Sequence, residues 1–359
     1  MSKPPVSCFA YVGSRTTRER NARGDGINVY RVDGETGAWT HVQVVTGLLN
    51  PSYLAFDRSR RFLYAVHGDA SEVSAFSVSP QTGELAFINR ETTSGQNPVH
   101  LSVDPSNRFI VAANHITSSL AVLPRREDGS VGAPVQLVKL EGQIGPHRVE
   151  QPFAKPHQVE FDRTGSFVIV PDKGLDRVFA YRFDAGAGKL FPAGAAPSRE
   201  GAGPRHVSLH PWNAFAYVVN ELDSTITAYS FDARTGALSP FQVVSALPDT
   251  FIGRSRAAEI AVSPDGRFVY ASNRGHDSIA VLAVDQSSGR LTNIGWADCR
   301  GRTPRFFATD PTGLVLAVAN EDSDSIVSFR VDQHTGMLEH RRETARTGSP
   351  VCIVFSEPS

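Results

Sequence analysis

Hydrophobic and polar residues alternate along most of this chain. Val207 and Leu209 take one phase, Ser208 and His210 the other, and Val159 with Phe161 and Ile260 with Val262 repeat the pattern. A period of two marks a half-buried β-strand, and here the runs are bounded by Asp-Gly, Asn and Thr-Gly turn signals. No stretch sustains a long helical period. The pattern predicts an all-β protein.

The alternating runs also repeat as blocks. The stretch Ala258 to Asn273 (AEIAVSPDGRFVYASN) has relatives at His157 to Asp172, Arg205 to Asn220 and Arg305 to Asn320, with weaker copies near Ser52 and Val99. Each copy continues into an apolar run ending in Asp and then a Thr-Gly-x-Leu turn, as at Thr235-Gly236-Ala237-Leu238. The opening position falls at Pro51, Pro98, Pro156, Pro204, Ala257, Pro304 and Pro350, at intervals of 46 to 58 residues. Short strands at this period are the signature of a β-propeller. One repeat supplies four strands, a to d: HVSLHP, FAYVVN, TITAYSFD and LSPFQVV. Pro350 is followed by a single strand, Val351 to Phe355, while Phe9–Val12, Ile27–Val32 and Trp39–Val45 stand unassigned at the other end. The expected fold is one seven-bladed β-propeller domain over residues 1–359, its four-stranded blades closed by one C-terminal and three N-terminal strands in a shared blade. Closure removes the sheet edges that an open stack would expose.

In a propeller the d–a and b–c connections emerge on one face, with strand a lining the channel. The irregular insertions Ser14–Gly26, roughly Glu141–Lys155, and Pro248–Arg256 all belong to that face, whereas the a–b and c–d turns are short. Long loops on a rigid scaffold are where function concentrates. The same face receives His157, Arg205, His206, Glu259 and Arg305 from the starts of strands a. It receives His67, His115, Asp172, Lys173, Glu221, Arg274 and Glu321 from the ends of strands b.

Composition narrows the classes. A net charge of −1 gives no basic excess for a nucleic-acid partner, and no apolar run approaches the roughly 20 residues of a membrane span. The first residues, MSKPPVSCFAYVG, carry no apolar leader, and three scattered cysteines argue against a disulfide framework. A soluble cytoplasmic protein, monomeric or a weak homodimer, is expected. Gly201-Ala202-Gly203 opens a strand rather than a helix, Gly188-Lys189 lacks the Ser or Thr of a phosphate loop, and no HExxH or Gly-x-Ser-x-Gly occurs. No cofactor or metal is expected, a channel Glu/His/Asp site being the minor alternative.

Each candidate has two readings. Arg205 is an anion clamp beside the titratable His206, or an inter-blade contact. His157 is an acid/base near neutral pH, or a core histidine. Glu221 and Glu259 are proton acceptors, or halves of structural pairs. Arg274, after Asn273, stabilises an oxyanion or carboxylate, or is a solvated loop residue. We expect catalysis by His157, Arg205, Glu221 and Arg274, with His206, Glu259, Asn273, Lys155, Arg148 and Arg15 binding substrate. The run Arg15, Arg18, Arg20 and Arg23 is expected to overhang the funnel, with Arg148, Lys155, Arg254 and Arg256 adding to the face and Glu150 and Asp249 diluting its charge.

The segments GAGPRHVSLHP, YVVNELDSTI, AAEIAVSPDGRFVYASNRGHDSIAV and GRTPRFFATDPTG resemble the seven-bladed lactonase family, which holds the propeller-type 6-phosphogluconolactonases and the 3-carboxy-cis,cis-muconate lactonizing enzymes. The resemblance spans essentially the whole chain. It implies a site of His157 in KPHQV, Arg205 in GPRH, Glu221 in VNEL and Arg274 in SNRG. Lys155 departs from it, standing where relatives often carry His. The implied activity is cofactor-free hydrolysis of an anionic sugar lactone, with His157 or Glu221 as base. The alternatives are a cycloisomerase acting on a muconate diacid, and a non-catalytic binding propeller, which would present an apolar face.

Overall fold

The computed structural model describes residues 7–357. Its strands form seven four-stranded antiparallel sheets, and the only helices among the described residues are the one-turn 3-10 segments Arg18–Arg20 and Glu321–Ser323. In the clearest blade, Pro204–Leu209, Phe215–Asn220, Thr225–Asp232 and Ala237–Ser245 run from the inside outward as strands a to d. The ring closes as the sequence predicts. Pro350–Phe355 pairs with Cys8–Ser14, which leads outward to Ile27–Val32 and Trp39–Val45.

The blades are fastened by a recurring device. A strand-b tyrosine donates its hydroxyl to the carbonyl of a turn glycine in the adjoining blade: Tyr11 to Gly83, Tyr217 to Gly289 and Tyr270 to Gly336, at 2.8–2.9 Å. Tyr64 makes the same bond to Gly129. Gly83, Gly236, Gly289 and Gly336 have positive φ, and a phenylalanine ring lies where a Cβ would project. These positions therefore require glycine both for the turn and for the ring packed beneath it. Apolar strand faces form the cores between neighbouring sheets.

The inner strands do not keep the simple alternation. Pairing with strand b slips by one residue between Pro204 and His206, between Pro304 and Phe306, between Pro51 and Tyr53 and between Pro98 and His100. In another blade the slip lies between Ala257 and Ile260. Each is a β-bulge, which inserts an unpaired residue and re-aims side chains. The blade beginning at Pro156 departs further. Its inner strand shrinks to Glu160–Phe161, preceded by a single Pro156–Asp172 bridge.

Candidate active site

The bulges build the site. Period-two geometry would send Arg205 and His206 to opposite sides, but with Arg205 inserted as an extra residue both side chains line one small pocket. The same displacement brings Arg305 beside them. Arg15, Tyr53 and His157 complete the polar wall. The pocket has about 20 Å³ of space, room for one water or one ligand oxygen.

On this wall Arg15 Nη1, His157 Nδ1 and His206 Nε2 find no hydrogen bond within the chain, while Arg205 Nε faces only the carboxylate of Glu221, at 3.2 Å. All four side chains are buried. Buried polar atoms are almost always satisfied, so three unsatisfied ones around a single pocket mark a place built for a polar ligand. Burial also keeps the imidazoles neutral. For His157 it acts with Arg205, and for His206 with Arg205 and Arg305, to hold each well below the usual histidine range.

Beside the pocket stands a carboxylate surrounded by cations. Glu221 lies 3.1 Å from Lys173 Nζ, 3.2 Å from Arg205 Nε, 3.4 Å from Arg256 Nη1 and 3.5 Å from Arg274 Nη2. Burial alone would raise its pKa, but Arg274, Lys173 and Arg205 together hold it well below the usual carboxylate range. Glu150, from the 141–155 loop, bridges Lys173 at 2.9 Å and Arg256 at 2.6 Å, and those contacts outweigh burial to bring it to about 2. On the other flank, Glu321 lies 3.3 Å from Arg15 and 3.4 Å from Arg305. Arg205 is fixed further by donating from Nη1 to the Ala258 carbonyl at 2.6 Å, and Arg274 by donating from Nη2 to the Ala257 carbonyl at 3.0 Å. Burial, with Arg274 and Arg305 nearby, lowers Arg205 to about 9.

The histidines form a row. The rings of His115 and His157 are 5.2 Å apart, those of His157 and His206 5.1 Å, and those of His206 and His100 5.6 Å, all near edge-to-face. His206 is anchored by Glu259, whose carboxyl oxygens lie 3.0 and 3.1 Å from Nδ1.

The structure brings together His157, Arg205, His206, Glu221, Glu259, Arg274 and Arg15. Lys155 is buried near them, its ammonium 5.0 Å from the Phe153 ring centroid, and burial followed by Lys173 lowers its pKa. Asn273 sits differently. It is fully buried and donates to the Ala246 carbonyl at 2.8 Å, tying strand b to the end of strand d. Asn320 repeats this toward the Cys299 carbonyl, so the position serves the blade. Arg148 stays exposed on its loop, and the side chain this loop sends into the cluster is Glu150. Arg18 is likewise exposed, and Arg20 is taken up by Asp69.

Arg305, Glu321, Lys173 and Arg256 belong to the cluster although they were not among the expected site residues. The repeat carried the signal for two of them. Arg305 and Glu321 occupy the same repeat positions as Arg205 and Glu221 and form the same ion pair. Among the described residues no three His, Cys, Asp or Glu side chains come together in a way that could hold a metal ion, and no helix is long and apolar enough to cross a membrane.

Fold and site together define a seven-bladed propeller with a cationic, imidazole-lined pocket on one face. Residues 9–355 match the family described as Lactonase, 7-bladed beta-propeller, and the chain belongs to that family. It is 36% identical over 307 residues to the 6-phosphogluconolactonase of Bacillus subtilis, covering 85% of each chain. A 6-phosphogluconolactonase of Formosa agariphila is 31% identical, with 84% of this chain and 86% of that one covered. Among solved structures, the periplasmic gluconolactonase of Pseudomonas aeruginosa superposes with a TM-score of 0.90 at 30% identity, over 98% of this chain and all (100%) of that one.

Proposed function

We propose that this protein hydrolyses a phosphorylated sugar lactone of the 6-phosphogluconolactone type without a metal or cofactor. The observation that carries this reading is the convergence of three unsatisfied buried nitrogens, one guanidinium and two imidazole, on one pocket that Arg205 also lines. Ester hydrolysis needs this combination: a base for water and fixed cations where the carbonyl oxygen gains charge. Seven cations, Arg15, Lys155, Lys173, Arg205, Arg256, Arg274 and Arg305, face the carboxyl groups of Asp69, Glu150, Asp172, Glu221, Glu259 and Glu321, and this cationic wall suits an anionic substrate.

In this reading Arg205 steadies the developing oxyanion through the charge of its guanidinium on the pocket wall, and Arg274, Arg305 and Arg15 attract the anionic group. Glu221, held ionised by its cationic neighbours, is too weak a base to activate water and acts as the fixed counter-charge that positions them. The proton from water goes to a pocket imidazole. No feature of the site favours the cycloisomerase, and its charge speaks against a non-catalytic apolar binding face.

The test is a substrate panel: 6-phosphogluconolactone, gluconolactone and carboxymuconate, each with and without EDTA. The expected result is ring opening, fastest for the phosphorylated lactone and unchanged by chelator. Ultraviolet loss of the muconate chromophore with inert lactones would overturn the proposal, and loss of activity in EDTA would overturn its metal independence.

A further inference from the structure

Two imidazoles, those of His157 and His206, line the pocket. We propose that His206, oriented by Glu259, is the general base of lactone hydrolysis, an assignment that rests on the lactonase reading. His206 is the pocket imidazole with one nitrogen anchored to a carboxyl group and the other unsatisfied. Nδ1 lies 3.0 Å from Glu259 Oε2, while Nε2 is buried without a partner in a pocket the size of one water. Glu259 is itself fixed. Its Oε1 accepts from the Ile260 backbone N–H at 3.0 Å, and its own backbone N–H donates to Ser272 Oγ at 3.0 Å. The Ala257–Ile260 bulge places the carboxyl against the ring from the neighbouring blade. His157 has no such anchor, since its Nδ1 is the unsatisfied atom.

The anchored arrangement fixes the tautomer. With one proton in the pair, Nδ1–H donates to the Glu259 carboxylate and the Nε2 lone pair faces the water. The water oxygen bonds to the lactone carbonyl carbon as Nε2 takes one of its protons, and the carbonyl electron pair moves onto the oxygen beside Arg205. The tetrahedral intermediate then re-forms the carbonyl, the ring C–O bond breaks, and the departing ring oxygen takes the proton from Nε2. The product is the open hydroxy acid, and His206 is regenerated. Glu259 touches no substrate and is a positioning residue.

The groups that face His206 are Glu259 on one side, His157 and His100 ring to ring, and Arg205, Arg305, Glu221 and Arg274 through space. Burial, opposed by Arg205, raises Glu259 to about 8. The proton between Nδ1 and the carboxyl therefore belongs to the pair rather than to either residue, and the one-proton form that acts as base is the form reached as pH rises.

The test is the pH dependence of kcat and KM on 6-phosphogluconolactone for the wild type, His206→Gln, His157→Gln, Glu259→Gln and Glu259→Asp. His206→Gln is expected to lower kcat roughly 100- to 1,000-fold with little change in KM, and to abolish the acid limb. Glu259→Gln should keep the protein folded, lower kcat less, and move the acid limb to lower pH, with Glu259→Asp restoring part of both. An inactive wild type would sink the lactonase reading and this assignment with it. An active wild type whose acid limb and kcat survive His206→Gln, or whose limb is unmoved in Glu259→Gln, would overturn the assignment alone. A loss confined to His157→Gln would transfer the base to that residue.

Discussion

Arg205 and Arg274 meet on one carboxylate: Arg205 Nε lies 3.2 Å from Glu221 Oε2 and Arg274 Nη2 lies 3.5 Å from Glu221 Oε1. The two guanidinium groups come from adjacent blades, so Glu221 stitches the blades together and keeps like charges at a working distance. Removing it leaves buried cations unpaired. Glu221→Ala is expected to destabilise the fold by about 3–5 kcal/mol, the usual result of deleting one partner of a buried ion pair. Urea denaturation would check this, and an unchanged midpoint would show that Glu221 holds nothing.

Arg205 is fixed by Nη1 on the Ala258 carbonyl and Nε beside Glu221, and its guanidinium lines the pocket. Arg205→Ala is expected to lower kcat/KM about 100- to 1,000-fold, the effect of removing an oxyanion donor. Arg205→Lys should recover little, because the ammonium is a compact point charge without the planar fork of the guanidinium. Circular dichroism would establish that both variants remain folded.

Among the basic residues of the first insertion, the structure singles out Arg15, buried against the pocket, from exposed Arg18. Arg15→Ala should raise KM for a phosphorylated lactone roughly tenfold, and more steeply at low salt. Arg18→Ala should leave KM unchanged. Equal responses of the two variants would mean that the loop acts only through its overall charge.

Glu160 on the shortened inner strand gives a stability signature. Burial raises its carboxyl to about 7, against about 4.3 for an ordinary glutamate. The folded chain therefore retains a proton that the unfolded chain releases. Its contribution is complete below the unfolded value and disappears as pH climbs through 7. Glu259 acts in the same sense. The comparison with Glu160→Gln isolates this term from the opposing buried histidines: in thermal melts the substitution should raise Tm at pH 8 relative to the wild type while leaving pH 5 nearly unchanged.

The tyrosine fasteners make a purely structural control. Tyr217→Phe removes the donor to the Gly289 carbonyl and leaves a buried acceptor unmet, which costs about 1 kcal/mol. Tm should drop while KM and kcat remain those of the wild type.

The ring was legible because the chain states its repeat many times over, and the Pro-anchored blocks fix strand order, closure and the face that carries the long loops. The same repeat placed His157, Arg205, Glu221 and Arg274 at equivalent strand ends. The bulges were less legible. Alternation assigns Arg205 and His206 to opposite sides, and only the slipped pairing after Pro204 turns both inward. Partner choice was hidden as well. Which of Arg148 and Glu150 reaches the cluster depends on how a loop folds back onto Lys173 and Arg256, and no periodicity encodes that. Asn273 showed the converse, a polar residue beside the site whose amide is committed to a blade carbonyl.

The shared blade has a consequence for how the protein comes into being. Arg15 leaves the Cys8–Ser14 strand with its backbone N–H bonded to the Ser349 carbonyl, and the strand itself pairs with Pro350–Phe355. During synthesis, then, the Cys8–Ser14 strand waits with an unpaired edge until Pro350–Phe355 has been made and has left the ribosome. A chain holding six finished blades still lacks the seating of Arg15, so the pocket is assembled only once the Pro350–Phe355 strand has joined the ring.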